Sequence, residues 1–126
     1  MSMPTATKID MSVFLESVAD NEAAKRRFHR QSAAVLRELA RHLGYKAGDF
    51  DLRHNQRGIA VSGEIILHSD TLYVHFEQNV AGLQWGFMWR ICRGRRDFRG
   101  RANQWIPWDR LNNLESVAKH MLAAMG

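Results

Sequence analysis

The chain has a single cysteine, Cys92, which excludes an internal disulfide and any zinc site built on several thiolates. It has no apolar run near the ~20 residues that a bilayer crossing needs. The opening stretch MSMPTATKID lacks an apolar segment of signal-peptide length, so the sequence predicts a reducing, cytoplasmic home and no membrane partner. There is no HxH or HExxH spacing, no carboxylate-rich loop and no GxxxxGK[ST], so neither a metal site, a cofactor nor a phosphate-cradling P-loop is expected. No catalytic motif stands out, and the expectation is a non-enzyme. Internal repeats and low-complexity tracts are also missing. Lysine is scarce, with 4 against 14 arginines.

What remains is a globular composition. The 126 residues are 45% hydrophobic and 25% charged, which predicts one folded domain over residues 1–126 with a flexible tail at 1–9. A chain of this size buries about two thirds of the surface it exposes when unfolded, enough for a core.

The net charge of +5 is unevenly placed. The window 90–101, RICRGRRDFRGR, holds Arg90, Arg93, Arg95, Arg96, Arg99 and Arg101 against the single acid Asp97, and accounts for the whole excess. Crowded cations repel one another unless something negative lies nearby. The planar guanidinium fork suits phosphate or carboxylate and stacks on rings. The alternative is a solvated hairpin whose charges block edge-to-edge aggregation.

Residues 10–43 read as helical with a break near Asp20–Asn21. Over 21–43, Phe28, Ser32, Val35, Leu36, Leu39 and Leu43 share one face, and Gly44 stands where a left-handed C-cap belongs. The opposite face carries Arg26, Arg30, Arg37 and Arg41, a row ~22 Å long at 1.5 Å per residue. Glu22 can reach Arg26 and Glu38 can reach Arg41, which leaves Arg30 and Arg37 without a local acid.

From Asp49 the period becomes 2. Phe50 and Leu52 alternate, then Ile59, Val61, Ile65 and Leu67, then Leu72, Val74 and Phe76, then Trp85, Phe87, Trp89 and Ile91. This predicts an α+β fold: N-terminal helices, a three- or four-stranded antiparallel meander sheet, and a C-terminal helix packed on one sheet face. Residues 94–107 read as a long loop, or a loop with a short edge strand. The last helix spans about 109–125 and is capped at Asn112 or Asn113. A two-residue turn at Ser69–Asp70 would set Glu64 opposite His75, Ser62 opposite Glu77 and Ile66 opposite Tyr73. Such a carboxylate–imidazole pair is ordinary on a half-solvated sheet face, and a ligand site at Glu64, His75 and Tyr73 is a minor expectation. Cys92 reads as packing material, although nearby arginines could lower its pKa.

The functional expectation is a small basic module for an anionic partner, with nucleic acid favoured. Phosphate contacts would come from Arg93, Arg95, Arg96, Arg99 and Arg101 of the loop and from Arg26, Arg30, Arg37 and Arg41 of the helix, sharing one surface. Phe98 is the ring expected to be exposed for stacking, while Trp105-Ile106-Pro107-Trp108 is expected to plug the core. Nothing matches a helix-turn-helix, zinc finger or RNA-recognition sheet, so binding would have little sequence specificity. The alternative is a protein-interaction module, homodimeric or docking on an acidic protein, without nucleic acid.

Overall fold

The computed structural model describes residues 22–55, 63–77 and 86–126. The readings for 1–21, including the first helix and the tail, lie outside these residues, as do those for Ile59, Val61, Ser62 and Trp85.

Helix α1 runs Glu22–His42. Its apolar stripe buries Phe28, Val35, Leu36 and Leu39. It stops at Gly44, whose φ of 83° is the left-handed conformation that glycine tolerates best. Gly44 N–H donates to the Arg41 carbonyl and Tyr45 N–H to the Ala40 carbonyl, the paired bonds of a Schellman cap.

A short 3-10 turn, Ala47–Asp49, leads into β1, Phe50–Asn55. Strands β2 (Glu64–Ser69), β3 (Leu72–Glu77), β4 (Gly86–Ile91) and β5 (Gln104–Pro107) follow. A second 3-10 turn, Trp108–Asn112, precedes helix α2, Leu114–Met125. The Asn113 side chain accepts a hydrogen bond from Ser116 N–H and so caps α2. All neighbouring strands are antiparallel, in the order β1-β2-β3-β4-β5.

The fold class is therefore α+β, with five strands among the described residues rather than three or four. The fifth strand is β5, four residues that form the short edge strand given as the alternative to a bare loop for 94–107. Its shortness and its Pro107 hide the alternation, and proline is tolerated because β5 is an edge strand.

One face of the sheet meets both helices. Ile65, Leu67, Leu72, Val74, Phe76, Phe87 and Trp89 are buried there with Phe28 and Leu36 of α1 and Val117 and Met121 of α2. Phe76 packs on Phe87 and edge-on against Trp108, at ring separations of 4.8 and 5.4 Å. Burying a ring of this kind stabilises the fold by roughly 1.5–3 kcal/mol.

The register corrects one expectation. Glu64 pairs with Glu77, Ile66 with His75 and His68 with Tyr73, two residues away from the predicted pairing. Ser69 is the reason. Its hydroxyl accepts from Thr71 N–H and Leu72 N–H and donates to the Tyr45 hydroxyl, so it anchors the strand end rather than entering the turn. A slip of two keeps every side chain on its expected face, because the strand period is two.

Candidate nucleic-acid interface

Alternation places Glu64, Ile66, His68, Tyr73, His75, Glu77, Met88 and Arg90 on the face away from the helices. The pairings line up Arg53, Ile66, His75, Met88 and Trp105 as one row across all five strands. Four strand spacings of ~4.8 Å make that row roughly 19 Å long. No helix among the described residues covers this face.

The arginine-rich segment 92–103 folds onto one corner of it. His68 is fully buried and ties the loop down. Its Nε2 lies 2.9 Å from the Gly94 carbonyl and its Nδ1 3.1 Å from Arg53 Nη2. A carbonyl can only accept, so Nε2 carries the proton and Nδ1 accepts from the guanidinium. Burial, with the nearby Arg53 charge, holds the ring below the usual histidine pKa and keeps it neutral. Gly100 lets the loop press against β4. Its φ is 59°, and a Cβ there would sit 2.6 Å from the Ile91 carbonyl oxygen. Asp97 gathers the loop's backbone, accepting from Arg93, Arg99 and Gly100 N–H, and the Gly100 bond leads in lowering its pKa.

The predicted cations divide into distinct roles. Arg95 is half-buried, 3.3 Å from Asp51 and 3.6 Å from Asp70, and also donates to the Gly48 carbonyl. It fastens the loop to β1 and is neutralised. Arg90 lies 4.1 Å over the Tyr73 ring and donates to Asn103 and to the Phe98 carbonyl. Arg93, Arg99 and Arg101 line an open hollow of about 490 Å³ together with Ile91, Cys92, Asp97 and Gly100. Arg96, Arg99 and Arg101 are exposed and have no ion pair among the described residues.

Arg26, Arg30, Arg37 and Arg41 are exposed along the outer side of α1. Helix α1 packs on the opposite face of the sheet from the loop, and the two arginine sets approach only at the turn after α1, where Arg37 and Arg41 border a hollow with Ala47 and Phe50 and Arg95 reaches the Gly48 carbonyl. Arg41 pairs with Glu38, and Arg37 lies close enough to His54 to help lower its pKa, after burial. A helical wheel shows which side of a helix is polar, but not which side of the sheet that helix will cover.

The aromatic residues also separate. Phe98 is 57% exposed, packs edge-on against His68 and lies 5.2 Å from the Arg53 guanidinium. Trp108 and Ile106 plug the core as expected, but Trp105 is 44% exposed and its pairing with Met88 turns it to the open face. Alternation within β5 separates Trp105 from Ile106, which the edge-strand reading of 94–107 did not place at these residues. Burial pushes the Cys92 thiol pKa up, and its Sγ–H points at the Ser69 carbonyl 3.4 Å away, so it is not an activated nucleophile.

Sequence reasoning also missed a convergence at the other end of the open face. Glu64 Oε2 lies 3.1 Å and Glu77 Oε2 4.0 Å from His75 Nε2. Only the observed register brings Glu77 to this pair. Among the described residues no helix is long and apolar enough to cross a membrane. Compared with known proteins, the chain matches no family model, no curated protein and no solved structure.

Proposed function

We propose that this protein binds single-stranded nucleic acid on the sheet face that neither described helix covers, mainly through phosphates and with little sequence preference. The supporting observation is the pairing of exposed rings with exposed arginines, of which Arg96, Arg99 and Arg101 have no ion pair among the described residues. Phe98 and Trp105 offer stacking surfaces, and the loop that carries Phe98 also carries the exposed Arg93, Arg96, Arg99 and Arg101, of which Arg93, Arg99 and Arg101 line an open hollow. Base–ring stacking contributes ~1–3 kcal/mol per base and tolerates any sequence. Guanidinium–phosphate contacts add a salt-sensitive part. A sheet face on which no described helix projects suits splayed, unpaired bases better than a duplex groove. The α1 row lies outside this surface and is not needed for binding.

The test is a binding titration with labelled single strands of about a dozen nucleotides and a matched duplex, at several salt concentrations. With four phosphates neutralised, log K should fall with log salt at a slope of about −3, from ~−0.7 per contact on single strands. Binding should collapse in Arg96/Arg99/Arg101→Ala and persist in Arg30/Arg37→Ala. Duplex preference, or loss of binding in the α1 variant alone, overturns the reading. Capture of an acidic protein without nucleic-acid binding would favour the interaction-module alternative.

A further inference from the structure

We infer that Glu64, His75 and Glu77 form a site for one divalent transition-metal ion of the zinc class on the open face of the sheet. Glu64 and Glu77 are direct cross-strand partners. Two carboxylates in that arrangement repel and destabilise a sheet unless a positive group lies between them.

His75 stands two residues before Glu77, on the same face, and directs Nε2 into the gap. That nitrogen is 3.1 Å from Glu64 Oε2 and 4.0 Å from Glu77 Oε2, and one donor atom from each of the three residues fits within a 4.8 Å limit. The nitrogen atom is shielded from solvent and makes no hydrogen bond. A proton on Nε2 would answer one carboxylate. A divalent ion answers both and uses the nitrogen lone pair.

The donor set decides the class of metal. One imidazole and two carboxylates, without a thiolate, suit a borderline ion such as zinc, whereas magnesium and calcium favour oxygen-only sites. Zinc bonds of ~2.0–2.2 Å in a tetrahedron put ligand atoms roughly 3.3–3.5 Å apart. The His75–Glu64 spacing of 3.1 Å is near that value, and Glu77, 4.0 Å from His75 Nε2, must swing inward to reach it. Three protein ligands leave the fourth position to water or an anionic ligand. The glutamate side chains are 31% and 39% exposed, so that position opens outward. The pairing is visible only in the fold, because residues 64, 75 and 77 form no contiguous metal motif.

The test titrates the full chain with Zn²⁺ by calorimetry in a non-chelating buffer, without nucleic acid, so that it stands apart from the preceding proposal. One ion per chain at micromolar or tighter affinity is expected, with Mg²⁺ unable to compete. Glu77→Gln should weaken binding at least tenfold and His75→Ala should abolish it. Circular dichroism checks the fold of each variant. If His75→Ala does not fold, the near-isosteric, half-exposed Glu77→Gln decides alone. Absence of saturable Zn²⁺ binding, unchanged affinity in Glu77→Gln, or equal competition by Mg²⁺ overturns the site.

Discussion

Acid should weaken this protein through a specific histidine pair. His29 of α1 is 3% exposed, and its Nδ1 lies 3.1 Å from Nδ1 of His54 on β1. One nitrogen must donate and the other accept, so a single proton occupies the gap. The far nitrogen of His29, Nε2, has no hydrogen bond, and a Cβ on Gly63 would lie only 2.7 Å from it. Burial and the neighbouring His54 lower the His29 pKa from 6.5 to about 4. Burial and then Arg37 also lower that of His54. The folded-state pKa is thus below the unfolded one, so the neutral ring contributes stability above pH 6.5. That contribution falls as pH drops from 6.5 towards 4, where the unfolded chain takes up protons that the folded chain refuses. The shift alone gives a loss of about 2 kcal/mol between roughly pH 7.5 and 5. Because His54 is exposed and water can relieve the pair, about 1 kcal/mol is the better expectation. Urea unfolding followed by tryptophan fluorescence at both pH values measures it. His29→Gln should lose about 1 kcal/mol of that pH dependence. An unchanged dependence in the variant would refute the reasoning.

Other consequences follow from the same packing. Trp108→Ala should cost ~3–5 kcal/mol because the ring fills the core against Phe76 and Phe87, whereas Trp105→Ala should stay within about 1 kcal/mol, both read from urea midpoints. Gly100→Ala should destabilise by at least ~1 kcal/mol and raise amide exchange across 93–101, since both the positive φ and the Ile91 carbonyl oppose a Cβ. His68→Ala strands the Gly94 carbonyl and removes the acceptor for Arg53; ~2–3 kcal/mol should be lost, with increased exchange in the same loop.

Legibility from sequence was uneven, for physical reasons. The α1 stripe, Gly44 and the Asn113 cap are local signals, and all three appear where expected. The inward positions Leu72, Val74, Phe76, Phe87 and Trp89 follow from alternation alone and are buried. Register was not readable, because Ser69 and Asp70 are both plausible turn residues, and the bonds that fix Ser69 as an anchor, from Thr71 and Leu72 N–H and to the distant Tyr45 hydroxyl, exist only in the fold. That slip concealed Glu77 as a partner of Glu64. Arg95 looked like its neighbours and became a strut, because Asp51 and Asp70 approach it only in the folded sheet. The clustering of loop charge, by contrast, was visible at once.

The most direct measurement is the salt dependence of single-strand binding in the wild type beside the two arginine variants. A slope of about −3 is expected for the wild type and for Arg30/Arg37→Ala, and about −1 or shallower in Arg96/Arg99/Arg101→Ala. Equal slopes in all three proteins, or no binding by the wild type at low salt, would contradict that expectation.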